Sequence, residues 1–152
     1  MREKDSFGLD PIYDHPRAVI LFGLPRIHNI TVDYPEHREK AMDFELRHES
    51  NTIRLSLHES TGKKGFWGIG QASVDYLNQV HRWLLVLLLL RKDRHMADGW
   101  LLSKQQWTSL ILSLSIDRKG NYKINRHILI NDDKLSGMRK ILEEIVRYVK
   151  SK

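Results

Sequence analysis

Eight consecutive apolar residues, WLLVLLLL from Trp83 to Leu90, stand between Arg82 and Arg91. A bilayer-spanning helix needs about 20 apolar residues, so this run is too short to be a membrane anchor. It must instead be buried inside a folded domain, either as a helix or as a strand covered on both faces. Periodicity cannot separate these two forms in so short a segment. Leucine favours helix, and a continuous helix over 71–90 is conceivable. Length and surroundings favour the strand: the preceding helical face stops at His81-Arg82, and a second apolar run, GWLLS, follows one polar loop. The expectation is a central strand at 83–90 with an edge strand at 99–103. Burying the eight side chains contributes on the order of 10–20 kcal/mol before entropy costs, an upper bound.

The segments around this centre read as a mixed α+β domain. AVILFG (18–23) and IHNITV (27–32) have strand composition and are separated by Gly23 and Pro25. Pro35 suits the first turn of a short helix through Met42. In DFELRHESNTIRLSLHES (43–60) two arms alternate with period two. Phe44, Leu46 and His48 share one face, as do Ile53, Leu55 and Leu57. A hairpin is expected, with Ser50-Asn51 as its turn because Asn tolerates positive φ. GFWGIG (65–70) is a weak strand or a bend, and QASVDYLNQVH (71–81) has a helical face of Val74, Leu77 and Val80. SKQQWTSLILSLSI combines a capping-box pattern, Ser103 with Gln106, and apolar residues at Trp107, Leu110, Ile111 and Leu114. It predicts a helix over 104–114. DRKG (117–120) is a turn and NYKINRHILI (121–130) contains a strand. Leu135, Met138, Ile141, Leu142, Ile145, Val146 and Val149 form the apolar stripe of a C-terminal amphipathic helix. The sum is a largely antiparallel mixed sheet with a buried Leu-rich central strand and three main helices. Residues 1–16 are read as a flexible N-terminal arm, and residues 17–152 as a single domain.

Charge is distributed unevenly along the chain. Residues 1–59 hold 8 Lys/Arg against 11 Asp/Glu, residues 60–127 hold 11 against 4, and residues 128–152 hold 6 against 4. A middle segment of net +7 favours a polyanionic partner, nucleic acid being the commonest. There is no cysteine, which excludes disulfides, thiolate metal sites and cysteine nucleophiles and fits a reducing cytoplasm. The N-terminal MREKDSFGLD lacks the apolar core of a signal peptide. A cytoplasmic protein that does not engage membranes is expected.

Three basic segments could contact phosphate: GKKG with Lys63 and Lys64; RKDRH with Arg91, Lys92, Arg94 and His95; and RKGNYKINR with Arg118, Lys119, Lys123 and Arg126. Glycine allows close backbone approach and Lys/Arg neutralise phosphate charge. Trp67 and Tyr122 adjoin two of these segments and could stack on bases. The blander reading makes them solvated loops with their aromatics in the core. The leading expectation is a nucleic-acid-binding domain, DNA favoured over RNA, using residues 61–67, 91–95 and 118–126. A protein-interaction or assembly module, including a homo-oligomer, is the second reading. It would be anchored by Trp67, Trp100 and Trp107.

Motifs for catalysis are few. Asp43, Glu45 and Glu49 share a strand face and Glu59 ends the neighbouring strand, so Asp43, Glu45 and Glu59 are the candidates for a Mg2+-dependent nuclease site. The order hairpin, strand, helix, strand is loosely similar to the core of restriction-endonuclease-like nucleases. Their acidic-x-Lys signature is missing; Glu45-Leu46-Arg47 is its nearest substitute, and Arg does not replace a titratable amine. His48 and His58 fall on paired strands, but no zinc-type spacing connects any of the eight histidines. The serine-hydrolase elbow, the dinucleotide fingerprint and the phosphate-loop motif are all absent. These gaps weigh against an enzyme, and no cofactor or metal is called for outside the nuclease reading.

Overall fold

The apolar run forms a single strand, and all eight of its side chains are buried. The computed structural model describes residues 16–33, 43–61, 65–91, 97–129 and 133–151. In chain order the elements are α1 (Pro16–His28), β1 (Thr31–Asp33), β2 (Asp43–His48), β3 (Asn51–Ser60), β4 (Phe66–Gly70) and α2 (Gln71–Leu77). They are followed by β5 (Trp83–Leu90), β6 (Ala97–Ser103), α3 (Lys104–Leu110), β7 (Ser115–Ile116), β8 (Asn121–Asn125), β9 (Leu135–Ser136) and α4 (Met138–Lys150). A six-stranded sheet has the order β1-β2-β3-β5-β6-β9, and a three-stranded sheet the order β4-β8-β7. Among the described residues, β3 and β5 pair in parallel and the other pairings are antiparallel. The chain is therefore an α+β protein, with β5 inside its larger sheet. Among the described residues no helix is long and apolar enough to cross a membrane.

Successive side chains of a strand point to opposite faces, and β5 uses both. Leu84, Val86, Leu88 and Leu90 enter a core shared with Val19, Ile20 and Leu24 of α1 and Ile141, Leu142 and Ile145 of α4. Trp83, Leu85, Leu87 and Leu89 enter a second core with Trp67, Ile69, Val74, Trp100, Trp107 and Ile124. One face of the sheet is thus covered by α1 and α4, the other by the small sheet with α2 and α3. This double cover is why the run has no polar residue: neither face meets water.

Several expectations are corrected. AVILFG is not a strand but the middle of α1, and Pro16 opens that helix rather than ending an arm. Pro tolerates the first turn because its missing N–H is one of the orphan donors there. Val19, Ile20, Gly23 and Leu24 are buried at helical spacing, and packing outweighs the strand preference of Val and Ile. Asn29, at φ 56°, reverses the chain after α1, and the Ile30 N–H returns to the Leu24 carbonyl at 3.1 Å. Only Thr31 and Val32 of the expected second strand are extended, in a strand that runs on to Asp33. The hairpin exists, but its turn is Glu49-Ser50, with Glu49 at φ 55°. Asn51 pairs with His48 and sends its side-chain amide to the carbonyls of Val149 and Ser151. Strand β6 is not an edge, because β9 pairs beyond it. The helix expected over 71–81 stops at Leu77, and the one over 104–114 ends as α at Leu110 and continues as a 3-10 turn through Ser113. The Ser103–Gln106 capping box is formed in both directions. The helix expected from Pro35 lies outside the described residues.

Candidate nucleic-acid interface

The local pattern FWGIG builds the small sheet. Trp67 and Ile69 point inward and are buried, whereas Phe66 and Gly68 face solvent. Trp67 lies edge-on to Trp100 with centroids 5.8 Å apart, and its indole N–H donates to the Leu88 carbonyl at 3.2 Å. On β8, Ile124 and Tyr122 point the same way, Tyr122 standing edge-on to Trp107 at 5.4 Å. Of the expected stacking residues, Trp67 is therefore a core residue and Tyr122 is partly buried against the same core. Trp100 and Trp107 are likewise buried, so none of the three indoles is an exposed anchor. The pleat turns the other set outward. Phe66 lies opposite Asn125, Gly68 opposite Lys123, and Gly70 opposite Asn121. Phe66 is 47% exposed, the one aromatic among the exposed large hydrophobics of the described residues apart from Phe22 on α1.

The cations of this region form two groups. Gly65, at φ 71°, accepts from the Arg126 N–H at 3.1 Å, and a Cβ there would stand 2.9 Å from Arg126 Cβ and 3.5 Å from Leu89 Cδ1. The Phe66 N–H donates to Ser60 Oγ at 3.1 Å. The chain ends flanking 62–64, the exit of β5 and Arg126 are thus adjacent. Arg91 leaves β5 at this end but pairs with Asp98 at 2.6 Å. The Arg126 guanidinium lies 6.0 Å from the Trp100 ring centroid. Arg118 and Lys119 sit at the far end of β8, about 17 Å away for five residues of strand, in the turn that docks on α2 through Gln71 N–H to Gly120 O at 3.0 Å. Lys123 is exposed between the two ends. Lys63, Lys64, Lys92, Arg94 and His95 lie outside the described residues.

The 117–120 turn is rigidified by one carboxylate. Asp117 Oδ1 accepts from the N–H groups of Asn121 and Lys119, both at 2.9 Å. The Asn121 N–H is the main reason its carboxyl is held below the usual carboxylate range, with Lys119 N–H and the Lys123 charge acting in the same direction. This fixes the backbone from which Arg118 and Lys119 project.

The acidic candidates separate. Asp43 and Glu45 are on the face of β2 opposite to Phe44 and Leu46, while Glu59 follows Leu55 and Leu57 to the α1 face and pairs with Arg17 at 3.6 Å. Two sides of one sheet cannot share a metal ion. Glu45 is engaged by Arg47 at 3.3 Å and by Arg54 at 4.0 Å. Asp43 is buried and accepts from Ser56 Oγ at 2.7 Å. His58 Nε2 lies within hydrogen-bond distance of the same hydroxyl, at 2.8 Å. Serine in the middle of such a chain is not activated as a nucleophile, because its proton points at the carboxylate. His48 is at the hairpin turn and His58 seven residues along β3, about 24 Å off. Among the described residues no three His, Asp or Glu side chains are grouped to hold a metal ion.

Comparison with known proteins adds little. No family model matches the chain, and no curated protein matches it. The solved structure described as "Crystal Structure of MepB" is similar over 62% of this chain and 67% of that one, with 9% identity and a TM-score of 0.34. A likeness of that size carries neither fold nor function across.

The sequence reading passed over Phe66 and Gly68. Their signal was present: in FWGIG the positions alternate Trp67 and Ile69 against Phe66, Gly68 and Gly70. Glycine in a strand pattern reads as a break as readily as the flat side of a pleat, which masks that alternation.

Proposed function

We propose that this chain binds nucleic acid, DNA in preference to RNA, through the cations of residues 118–126 and the adjoining 61–67 segment. One observation supports this reading above the others. Arg118 and Lys119 in the 117–120 turn, Lys123 on β8 and Arg126 just beyond it follow one another along the small sheet and form no ion pair among the described residues. Cations spaced in this way match the repeating negative charge of a phosphodiester backbone. Lys63 and Lys64 belong to the same reading through their neighbours Gly65 and Phe66.

The test is a titration of labelled oligonucleotide by fluorescence anisotropy at several salt concentrations. Binding should weaken linearly in log–log form, by roughly 0.7–0.9 per phosphate neutralised. The triple variant Arg118→Glu, Lys119→Glu, Lys123→Glu should lose most of the affinity. An unchanged isotherm in that variant would falsify the assignment.

A further inference from the structure

The outward face of β4 and β8 bears on what form of nucleic acid would be held. We infer that this face is a stacking platform for single-stranded nucleic acid, with Phe66 as the residue that stacks on a base and Gly68 as the gap that admits it. The inference rests on the nucleic-acid reading above and narrows it.

Four features carry it. Phe66 is an exposed aromatic on a sheet face, and no apolar neighbour is needed to explain it, since β4 contributes Trp67 and Ile69 to the core on its other side. Next to it, Gly68 has open space where a side chain would stand: a Cβ there meets only Asn121 Cβ, at 3.8 Å. A flat ring can therefore lie close to the strand backbone. Asn125 stands across from Phe66 and offers an amide donor and acceptor to base edges, while the side chain of Asn121, across from Gly70, is engaged by Asp117. Finally, cations adjoin the platform. Arg118 and Lys119 lie in the turn at one end of β8 and Lys123 is exposed in its middle, while Arg126, beyond the other end, is turned toward the Trp100 ring of the core. The separation of the basic segments, which argues against one compact phosphate cradle, suits a strand laid along β8.

The length is appropriate. About 17 Å of strand accommodates the two or three bases that sheet-based binders of single strands stack. Duplex is a poorer occupant, because its bases are already stacked on each other and offer no free face to Phe66. A protein partner would also use an exposed Phe, but it gains nothing from a row of unpaired cations around a glycine gap.

The experiment compares a labelled single-stranded 12-mer with the corresponding duplex, by anisotropy at low salt, for the full chain and for Phe66→Ala, Phe66→Tyr, Gly68→Val and Lys123→Glu. Circular dichroism and the thermal midpoint establish that each variant is folded. Gly68 has no positive φ and room for a Cβ, so Val is accommodated by the strand but fills the gap. The expected result is tighter binding of the single strand. Phe66→Ala and Gly68→Val should each weaken it about tenfold or more, with Phe66→Tyr close to the parent. Equal or tighter binding of duplex, with Phe66→Ala and Gly68→Val unaffected, overturns the platform and leaves the broader reading standing. No binding of either form overturns both. Concentration-dependent self-association that disappears in Phe66→Ala, without oligonucleotide binding, assigns the face to a protein contact and also overturns the inference.

Discussion

At the scale of single residues, two positions combine local geometry with a cost that can be measured. Gly65 needs its positive φ of 71°, and any side chain there meets Arg126 Cβ at 2.9 Å. Gly65→Ala should destabilise the fold by about 1–3 kcal/mol, read as a lower midpoint in urea. Ser56 Oγ donates a hydrogen bond to the buried Asp43 side chain. Ser56→Ala leaves that buried acceptor short of a donor, and a loss of about 1–3 kcal/mol is expected by the same measurement. Neither effect was legible beforehand. A glycine flanked by Lys and Phe has no signature of its φ, and Asp43 on a charged strand face reads as solvated until a second layer covers it.

At the scale of elements, legibility followed the period of the pattern. β5 was readable because its length fits a strand and a second apolar run follows it after one polar loop. α4 was readable because Met138, Ile141, Leu142, Ile145 and Val149 repeat at helical spacing. α1 was misread because PRAVILFGLPRIH is short, β-branched and contains Pro25, so local preference and burial pattern disagree. Its amphipathic signal is weak, and only α4 and the sheet make it a helix. The β5 reading has a quantitative corollary. Leu87 is fully buried in the second core, so Leu87→Ala should cost about 2–5 kcal/mol. Leu112, 87% exposed in the turn after α3, should change stability by no more than about 0.5 kcal/mol when replaced by Ala. Comparable losses at the two sites in chemical denaturation would mean that the layers are assigned wrongly.

At the scale of the whole molecule, acidity should loosen the layer formed by α1 and α4. Burial is the main cause that lowers the His28 pKa below its ordinary 6.5; the Lys150 charge adds to this and Glu143 opposes it. A depressed pKa means that the unfolded chain takes up the proton first. Stability is therefore complete above pH 6.5 and falls as the pH drops from there through the lowered folded value. His28→Asn should flatten that part of the stability profile, which thermal melts between pH 5 and 8 would record. The candidate site was partly visible in the sequence at this scale. The excess of positive charge in 60–127 pointed to the segment that carries the small sheet, but sequence order does not tell which residues of a strand face out. One step of the pleat exchanged Trp67 for Phe66 and Tyr122 for Lys123.

Strand β4 is threaded through the crossover that joins the parallel pair β3 and β5, yet its partner β8 arrives only after β6 and α3 have been made. A nascent polypeptide halted before Asn121 would own the larger sheet's middle but have one bare rail where the smaller sheet belongs. Competence for any ligand on that surface would thus be acquired late, on synthesis of β8, and would serve as a readout that the two distant stretches have met.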